Sequence, residues 1–368
     1  MRIAALEIRL CRRPDSPMGD AELRDGRRSD LEFLVVTART DDGLSASTFG
    51  FAGRGAKAAG EIAAASLKPF FLGRNPLFRE QHWHDFRTAD RWWHLTPIYS
   101  YGPFDILCWL LSAQAAGQPL YQYLGAYRDR VPVYGSSLVL PEPADYGRQA
   151  SMVKEKGFAA YKLHPPGRYA FDLAAHRAAR EAVDPDFPLM SDPVAAYTTD
   201  EALRMGRELE RLGYLWFEEP LPDENFHGLK ELTRTLDIPI CGAEVLAKHP
   251  YSVAECIAER VVDIVRADVS WSGGITAVMK TAHLAEAFGV PCEVHTAIYH
   301  PLELVNLHCC AAIQNCRFFE LLLPLDYFAF GLAEPIRIEE GQAVLPEGPG
   351  LGIELDWDLI DNCTFAVL

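Results

Sequence analysis

Apolar and charged residues alternate along Arg2–Leu10 and again along Leu31–Thr40, the period-two pattern of strands with one face buried. Ala56–Ala65 and Pro103–Ala116 carry their apolar residues at helical spacing instead, so residues 1–125 are expected to form an α+β unit. From Val131 onward the pattern becomes a series of short apolar runs, each followed by an amphipathic helical stretch. That texture predicts βα units and a parallel sheet. Eight runs end near Ser136, His164, Asp192, Glu218, Glu244, Asp268, His295 and Glu320. From the second run on they recur roughly every 26 residues, the mark of a repeated unit. Eight parallel strands with crossover helices close into a TIM-type barrel, so the expected fold is α/β, with the barrel over 126–330. The period is lost after Phe330, and 331–368 are expected to pack back on the N-terminal α+β unit, which would cap the barrel.

Seven consecutive strands end on an ionisable residue, and in such a barrel those ends converge at one mouth, where active sites of this architecture lie. Asp192, Glu218 and Glu244 close three adjacent strands. Taken singly, each reads better as a solvated strand end or a helix cap. Together, three crowded carboxylates repel unless a divalent cation neutralises them, and an all-oxygen set suits Mg²⁺ better than Zn²⁺. Lys162 and His164 precede this trio and share a face of their strand, because residues two apart point the same way. Asp268 and His295 follow it, and the carboxylate can accept a bond from the ring and fix its tautomer. The two sets of proton carriers would then face a bound molecule from opposite sides of the ring. Glu320 follows Phe318 and Phe319, whose apolar character is expected to raise its pKa so that, protonated, it donates to a developing oxyanion. His164 also reads as a structural residue beside Pro165, and Glu320 as a carboxylate paired to a cation. Arg266 and Glu293 each lie two residues before a member of the Asp268–His295 dyad and are expected to pair one layer lower.

Composition narrows the function classes. A formal charge of −16 over 368 residues repels phosphate backbones and anionic lipid, so neither nucleic acid nor membrane is expected as a partner. The nine cysteines are scattered through apolar segments such as those of Cys108, Cys241, Cys292, Cys309 and Cys310, as expected of reduced thiols in the cytoplasm. The N-terminus lacks the apolar core of a signal peptide, and the longest apolar stretch, Ile106–Ala116, is too short to span a bilayer. His82, His84 and His94, set among Trp83, Trp92 and Trp93, lie outside the strand ends and read as helix packing rather than a zinc site.

With these residues in view, the chain resembles the mandelate racemase subgroup of the enolase superfamily over nearly its whole length. The likeness is carried by Phe104-Asp105-Ile106-Leu107-Cys108-Trp109 and Val131-Pro132-Val133-Tyr134 at the passage into the barrel. It continues through Tyr161-Lys162-Leu163-His164, Trp216-Phe217-Glu218-Glu219-Pro220, Cys241-Gly242-Ala243-Glu244, and Asp268 followed by Gly273-Gly274. The resemblance implies that Asp192, Glu218 and Glu244 bind Mg²⁺, that Lys162, His164 and the Asp268–His295 dyad handle protons, and that Glu320 is an electrophilic acid. It implies removal of the proton α to a carboxylate through an enediolate, with dehydration of a sugar acid the leading outcome. Racemisation or epimerisation and lactone cycloisomerisation are the alternatives, on a small hydroxy acid or sugar acid. A catalytically silent barrel acting as a binding protein is the reading from another class. A homo-oligomer is expected. The chain departs from the family pattern at His164, where most relatives carry lysine, and at Val194, where many carry asparagine. Substrate choice would rest on the loops Ser16–Gly26 and Gly50–Arg54.

Overall fold

The computed structural model describes residues 1–13, 30–53, 55–91, 96–246 and 250–368. The loop Ser16–Gly26, Arg54, Trp92, Trp93 and His94 lie outside the described residues. Strands β1 (Ile3–Arg13), β2 (Leu31–Thr40) and β3 (Ser45–Phe51) pair antiparallel in chain order. The helix Ile98–Ala115 packs against β3, and the helix Ala56–Ile62 against β1 and β2. On the helix Arg79–Asp90, His82 is buried and its Nε2 lies 2.8 Å from the Asn75 carbonyl oxygen, which fits a packing role. His84 departs from that expectation and is exposed.

The barrel is β4 (Arg130–Ser136), β5 (Ala160–Leu163), β6 (Leu189–Ser191), β7 (Trp216–Glu218), β8 (Ile240–Gly242), β9 (Ile264–Ala267), β10 (Cys292–Val294) and β11 (Phe319–Leu322). Neighbours from β4 to β10 pair in parallel, and β11 returns to pair in parallel with β4. Some of the helices between them begin with local caps, such as the box in which Thr198 accepts the Glu201 N–H and Glu201 accepts that of Thr198. Past the barrel, β12 (Ile338–Glu339) and β13 (Gln342–Val344) form a hairpin whose second strand lies antiparallel on β4. The last strand, β14 (Thr364–Val367), pairs with β1 and completes the four-stranded sheet β14-β1-β2-β3. Among the described residues no helix is long and apolar enough to cross a membrane.

Inside the barrel the period of two decides what sits where. Tyr134, Ala160, Met190, Trp216, Cys241, Ile264 and Phe318 form an apolar plug, with the Tyr134, Trp216 and Phe318 rings in mutual contact. Two residues further along five of those segments come Lys162, Asp192, Glu218, Arg266 and Glu320, on the same inner faces and all buried. The charged layer thus rests on a dry base.

Between β10 and β11 the described residues show no strand ladder, and side chains close the seam instead. Glu293 accepts the N–H groups of Arg317 and Phe318 at 3.0 and 3.2 Å, and Glu320 accepts that of Thr296 at 3.2 Å. This corrects the expected Arg266–Glu293 pair. The two residues are register partners on β9 and β10, but Glu293 is taken by backbone donors that lack a ladder and Arg266 by carboxylates across the barrel.

The Gly273-Gly274 pair marks where the capping helix touches the barrel. Gly274 has φ 96°, and a Cβ there would fall 2.5 Å from Oδ2 of Asp105, on the helix Ile98–Ala115. Asp105 in turn accepts the backbone N–H and hydroxyl of Thr276 at 2.9 and 2.6 Å. Burial pushes its carboxyl up to about 6 despite those bonds.

The seam makes a prediction. Glu293→Ala removes the acceptor from one buried and one partly buried N–H group and should lower stability by about 1 to 3 kcal/mol. Urea unfolding followed by circular dichroism measures it, and a midpoint unchanged from wild type would mean that the seam is held by other contacts.

Candidate active site

Seven of the eight barrel strands deliver an ionisable residue to one mouth by simple register. His164, Asp192, Asp268 and His295 each follow the last residue of their strand, and Glu218 is the last residue of its own. Two placements differ from expectation: Glu244 lies two residues beyond β8, and Glu320 is the second residue of β11, level with Tyr134 of β4. All the residues singled out from the sequence are therefore gathered, although at different depths.

At the deeper level the positive charges hold the centre. The Lys162 ammonium, fully buried, lies 3.1 Å from Asp192 Oδ2, 2.7 Å from Glu218 Oε1 and 3.0 Å from Glu320 Oε1. The Arg266 guanidinium lies 3.2 Å from Glu218 Oε1 and 3.8 Å from Glu244 Oε2, donates to Glu320, and reaches the Tyr134 hydroxyl at 3.2 Å. Burial alone would pull both cations down, but Glu218 and Glu320 outweigh it and hold each well above its ordinary value. Glu218 is satisfied from within the barrel, since its Oε2 also accepts the Trp216 indole N–H at 2.8 Å.

The same cations overturn the expected state of Glu320. Burial pushes its carboxyl up, but Lys162, Arg266 and His295 more than reverse this and hold it well below the usual carboxylate range. Its chain neighbours Phe318 and Phe319 suggested a dry environment, whereas the groups that face it come from β5 and β9. In this structure Glu320 is a carboxylate clamped by two cations, the alternative its sequence context left open.

Toward the mouth, two imidazoles face the carboxylates in matching fashion. His164 Nδ1 lies 2.7 Å from the Ser137 carbonyl oxygen, which can only accept, so Nδ1 carries a proton. Its Nε2 then faces Asp192 Oδ2 at 3.0 Å. His295 Nδ1 faces Asp268 Oδ2 at 3.3 Å, and its Nε2 faces Glu244 Oε2 at 3.4 Å. Each ring is thus anchored at Nδ1 and presents Nε2 to the acids between them. Burial pushes Asp192 up, but Lys162 and His164 more than offset it and leave it lowered. Glu244 goes the other way: burial, only partly offset by His295, brings it up to about 7. Burial also depresses His295, and Glu244 together with the bond the ring donates to Asp268 overrides this and pushes it up to about 9.

Sequence reading missed the groups that aim these residues. Asn306 donates to the His295 carbonyl at 2.8 Å and accepts the Val269 N–H at 3.1 Å, tying together the loops that carry the dyad. Its signal was legible, since a lone amide in the apolar helix His300–Ala312 needs partners when buried. Glu303 accepts the N–H groups of Ala297 and Ile298 and the Thr296 hydroxyl, shaping the turn after His295. Glu219 was passed over as well. It is buried at φ 36° with an unpartnered Oε1, and burial with the charges of Glu244, Asp223, Asp192 and Glu218 raises it well above the usual range.

Does this donor set suit a divalent cation? Among the described residues no three acids or imidazoles already converge on a single point, because Lys162, Arg266 and the two rings are interleaved with them. The chemistry nevertheless fits a hard cation. The acids are all oxygen donors, Glu244 Oε2 is buried without a hydrogen-bond partner, and the carboxyl is pushed toward neutrality by its surroundings.

The electrostatics predict a titration. In the metal-free protein His295 should titrate near pH 9, above its ordinary 6.5, so the stability lent by its charged form is full below about 6.5 and lost as pH rises through about 9. Replacing Glu244 by Gln should lower that midpoint by about one unit. An NMR titration of the ring proton checks both, and a His295 midpoint indifferent to Glu244 would remove the coupling.

The family profile described as enolase C-terminal domain-like matches residues 145–359. The chain is 32% identical over 253 residues to arabinonate dehydratase of Saccharolobus solfataricus, covering 67% of each chain. It is 27% identical over 378 residues to D-galactarolactone cycloisomerase of Agrobacterium fabrum, covering 98% of each. Its fold superimposes on the crystal structure of D-glucarate dehydratase from Agrobacterium tumefaciens complexed with magnesium, with a TM-score of 0.87, 33% identity and full coverage of both chains.

Proposed function

The chain belongs to the enolase superfamily, in its mandelate racemase-like group, and from that footing we propose that it dehydrates a sugar acid to a 2-keto-3-deoxy acid with the help of Mg²⁺. The observation that carries this reading is the pair of imidazoles, each anchored at Nδ1, whose Nε2 atoms border a buried carboxylate set at Asp192 on one side and Glu244 on the other.

Asp192, Glu218 and Glu244 would hold the ion, and when bound it stabilises negative charge developing on the substrate carboxylate. In our reading His164 Nε2 and His295 Nε2 are the proton-carrying atoms. One takes the α-proton, and the other delivers a proton to the departing β-hydroxyl, which leaves as water; the resulting enol then tautomerises to the keto acid. Asp268 holds the His295 ring in the required tautomer. Lys162 and Arg266 pair with Glu218 and Glu320 from below and hold Glu320 ionised. We read Glu320 as a charged partner in that brace, not as a proton donor.

Two bases on opposite sides also suit epimerisation or cycloisomerisation, in which the proton returns to carbon, and the cycloisomerase relative supports that second reading. The intact set of acids and bases speaks for an enzyme over a silent barrel. We place it in the cytoplasm, in keeping with nine free cysteines.

Two outcomes test the proposal. In a screen of sugar acids with Mg²⁺, the wild-type chain should form 2-keto acid, and Asp192→Asn or Glu244→Gln should reduce turnover by about 10³-fold or more while removing Mg²⁺ binding in calorimetry. Full activity in Glu244→Gln would sink the ligand assignment. In D₂O, His295→Asn should still exchange the α-proton of one epimer and lose net turnover, and His164→Ala should spare the other epimer. Equal exchange of one epimer by both variants would return His164 to a structural role.

A further inference from the structure

We infer that the acid this site takes is apolar at the end remote from its carboxylate: a monocarboxylic hydroxy acid of the terminally deoxygenated sugar-acid class, rather than a fully hydroxylated or dicarboxylic one. The inference rests on the functional reading above and extends it to the shape and polarity of the substrate.

A cavity of about 220 Å³ is lined by Phe51, Tyr99, Val245 and Trp271. Every one of its walls is tied to the chemistry or to the capping unit. Val245 directly follows Glu244. Trp271 donates its backbone N–H to Asp268 at 2.9 Å, and its ring centre lies 5.0 Å from that of His295. Phe51, at the end of β3, closes the far side with its ring 5.9 Å from Trp271 and 6.1 Å from Tyr99. The cavity therefore opens beside the proton-carrying ring, where the part of a substrate beyond its reacting carbons would lie.

Its chemistry is one-sided. Among the described residues no carboxylate, ammonium or guanidinium lines it, and the polar atoms of the four side chains are only the Tyr99 hydroxyl and the Trp271 indole N–H. Beyond those two groups, each additional substrate hydroxyl placed there would give up water without a side-chain partner among the described lining residues. A second carboxylate would be worse, because among the described lining residues it would meet no cation, and it would sit near Glu244, which Val245 directly follows. A methyl or methylene group, in contrast, removes apolar aromatic surface from water and rests against ring faces.

The test uses the Mg²⁺-loaded protein and a panel of hexonates of varied configuration, each with its 6-deoxy counterpart and its hexarate. Affinity is read by calorimetry and α-proton exchange by NMR in D₂O. For the best-bound configuration the deoxy acid should bind about 10-fold more tightly than the parent, with the hexarate weakest. Phe51→Ser and Val245→Ser, checked for native circular dichroism, should each bring that ratio below about 3-fold. A parent acid or hexarate that binds as well as the deoxy acid overturns the inference, as does a ratio unchanged in both variants. The preference without exchange in any acid would uphold the pocket and remove the base assignments, whereas exchange without the preference would do the reverse. Absence of binding by every acid overturns both.

Discussion

Two positive charges buried among carboxylates are the constraint on which the rest of this molecule depends. An isolated ammonium or guanidinium at the centre of a barrel would carry a desolvation penalty of several kcal/mol, so it persists only with close partners. Lys162 finds three carboxylates within about 3 Å, and Arg266 finds Glu218, Glu320 and Tyr134. Those contacts orient Glu218 and Glu320, whereas Oε2 of Glu244, nearer the mouth, has charged neighbours but makes no hydrogen bond.

The plug beneath this layer contributes by excluding water. Tyr134, Trp216 and Phe318 fill the narrow end of the barrel with rings, and two of them turn a polar edge upward: the Trp216 indole to Glu218 and the Tyr134 hydroxyl toward Arg266. The seam between β10 and β11 is a second adaptation. Where strands do not exchange backbone bonds, Glu293 and Glu320 supply acceptors, so two residues that look chemical in the sequence hold the wall together.

The mouth carries strain as well as charge. Val194, Ala195, Glu219, Ala243 and Ile298 have φ between 36° and 77°, all in turns that follow barrel strands. For residues with a Cβ this conformation costs on the order of 1 kcal/mol or more, and it is tolerated where surrounding contacts over-determine the backbone. Some of those contacts are visible: Ala195 N–H to the Glu219 carbonyl at 2.7 Å, and Ala243 N–H to Asp223 at 2.8 Å. The strained turns flank Asp192, Glu218 and Glu244 in the chain, so the acids are presented by backbone that is held, not relaxed.

The amino-acid sequence determined by itself the barrel, the strand ends and the set of ionisable residues at its mouth. Those are consequences of local periodicity: a period of two selects the inner face, and a repeat of about 26 residues returns the chain to the same level on the next strand. The Gly273-Gly274 pair was equally legible as a motif, although its reason, the approach of Asp105, was not. Partnership was decided only by the tertiary structure. Phe318 and Phe319 suggested a neutral Glu320, but the groups that set its charge, Lys162, Arg266 and His295, belong to three other strand segments and are distant in the chain. Arg266 and Glu293 are adjacent in register and still do not pair, because each meets better partners that no local pattern encodes. The aromatic cavity likewise joins a strand of the capping unit to two barrel loops, and its polarity exists only once the chain has brought Phe51 to Trp271. Periodicity is a property of neighbours along the chain, while charge state and pocket chemistry are properties of neighbours in space.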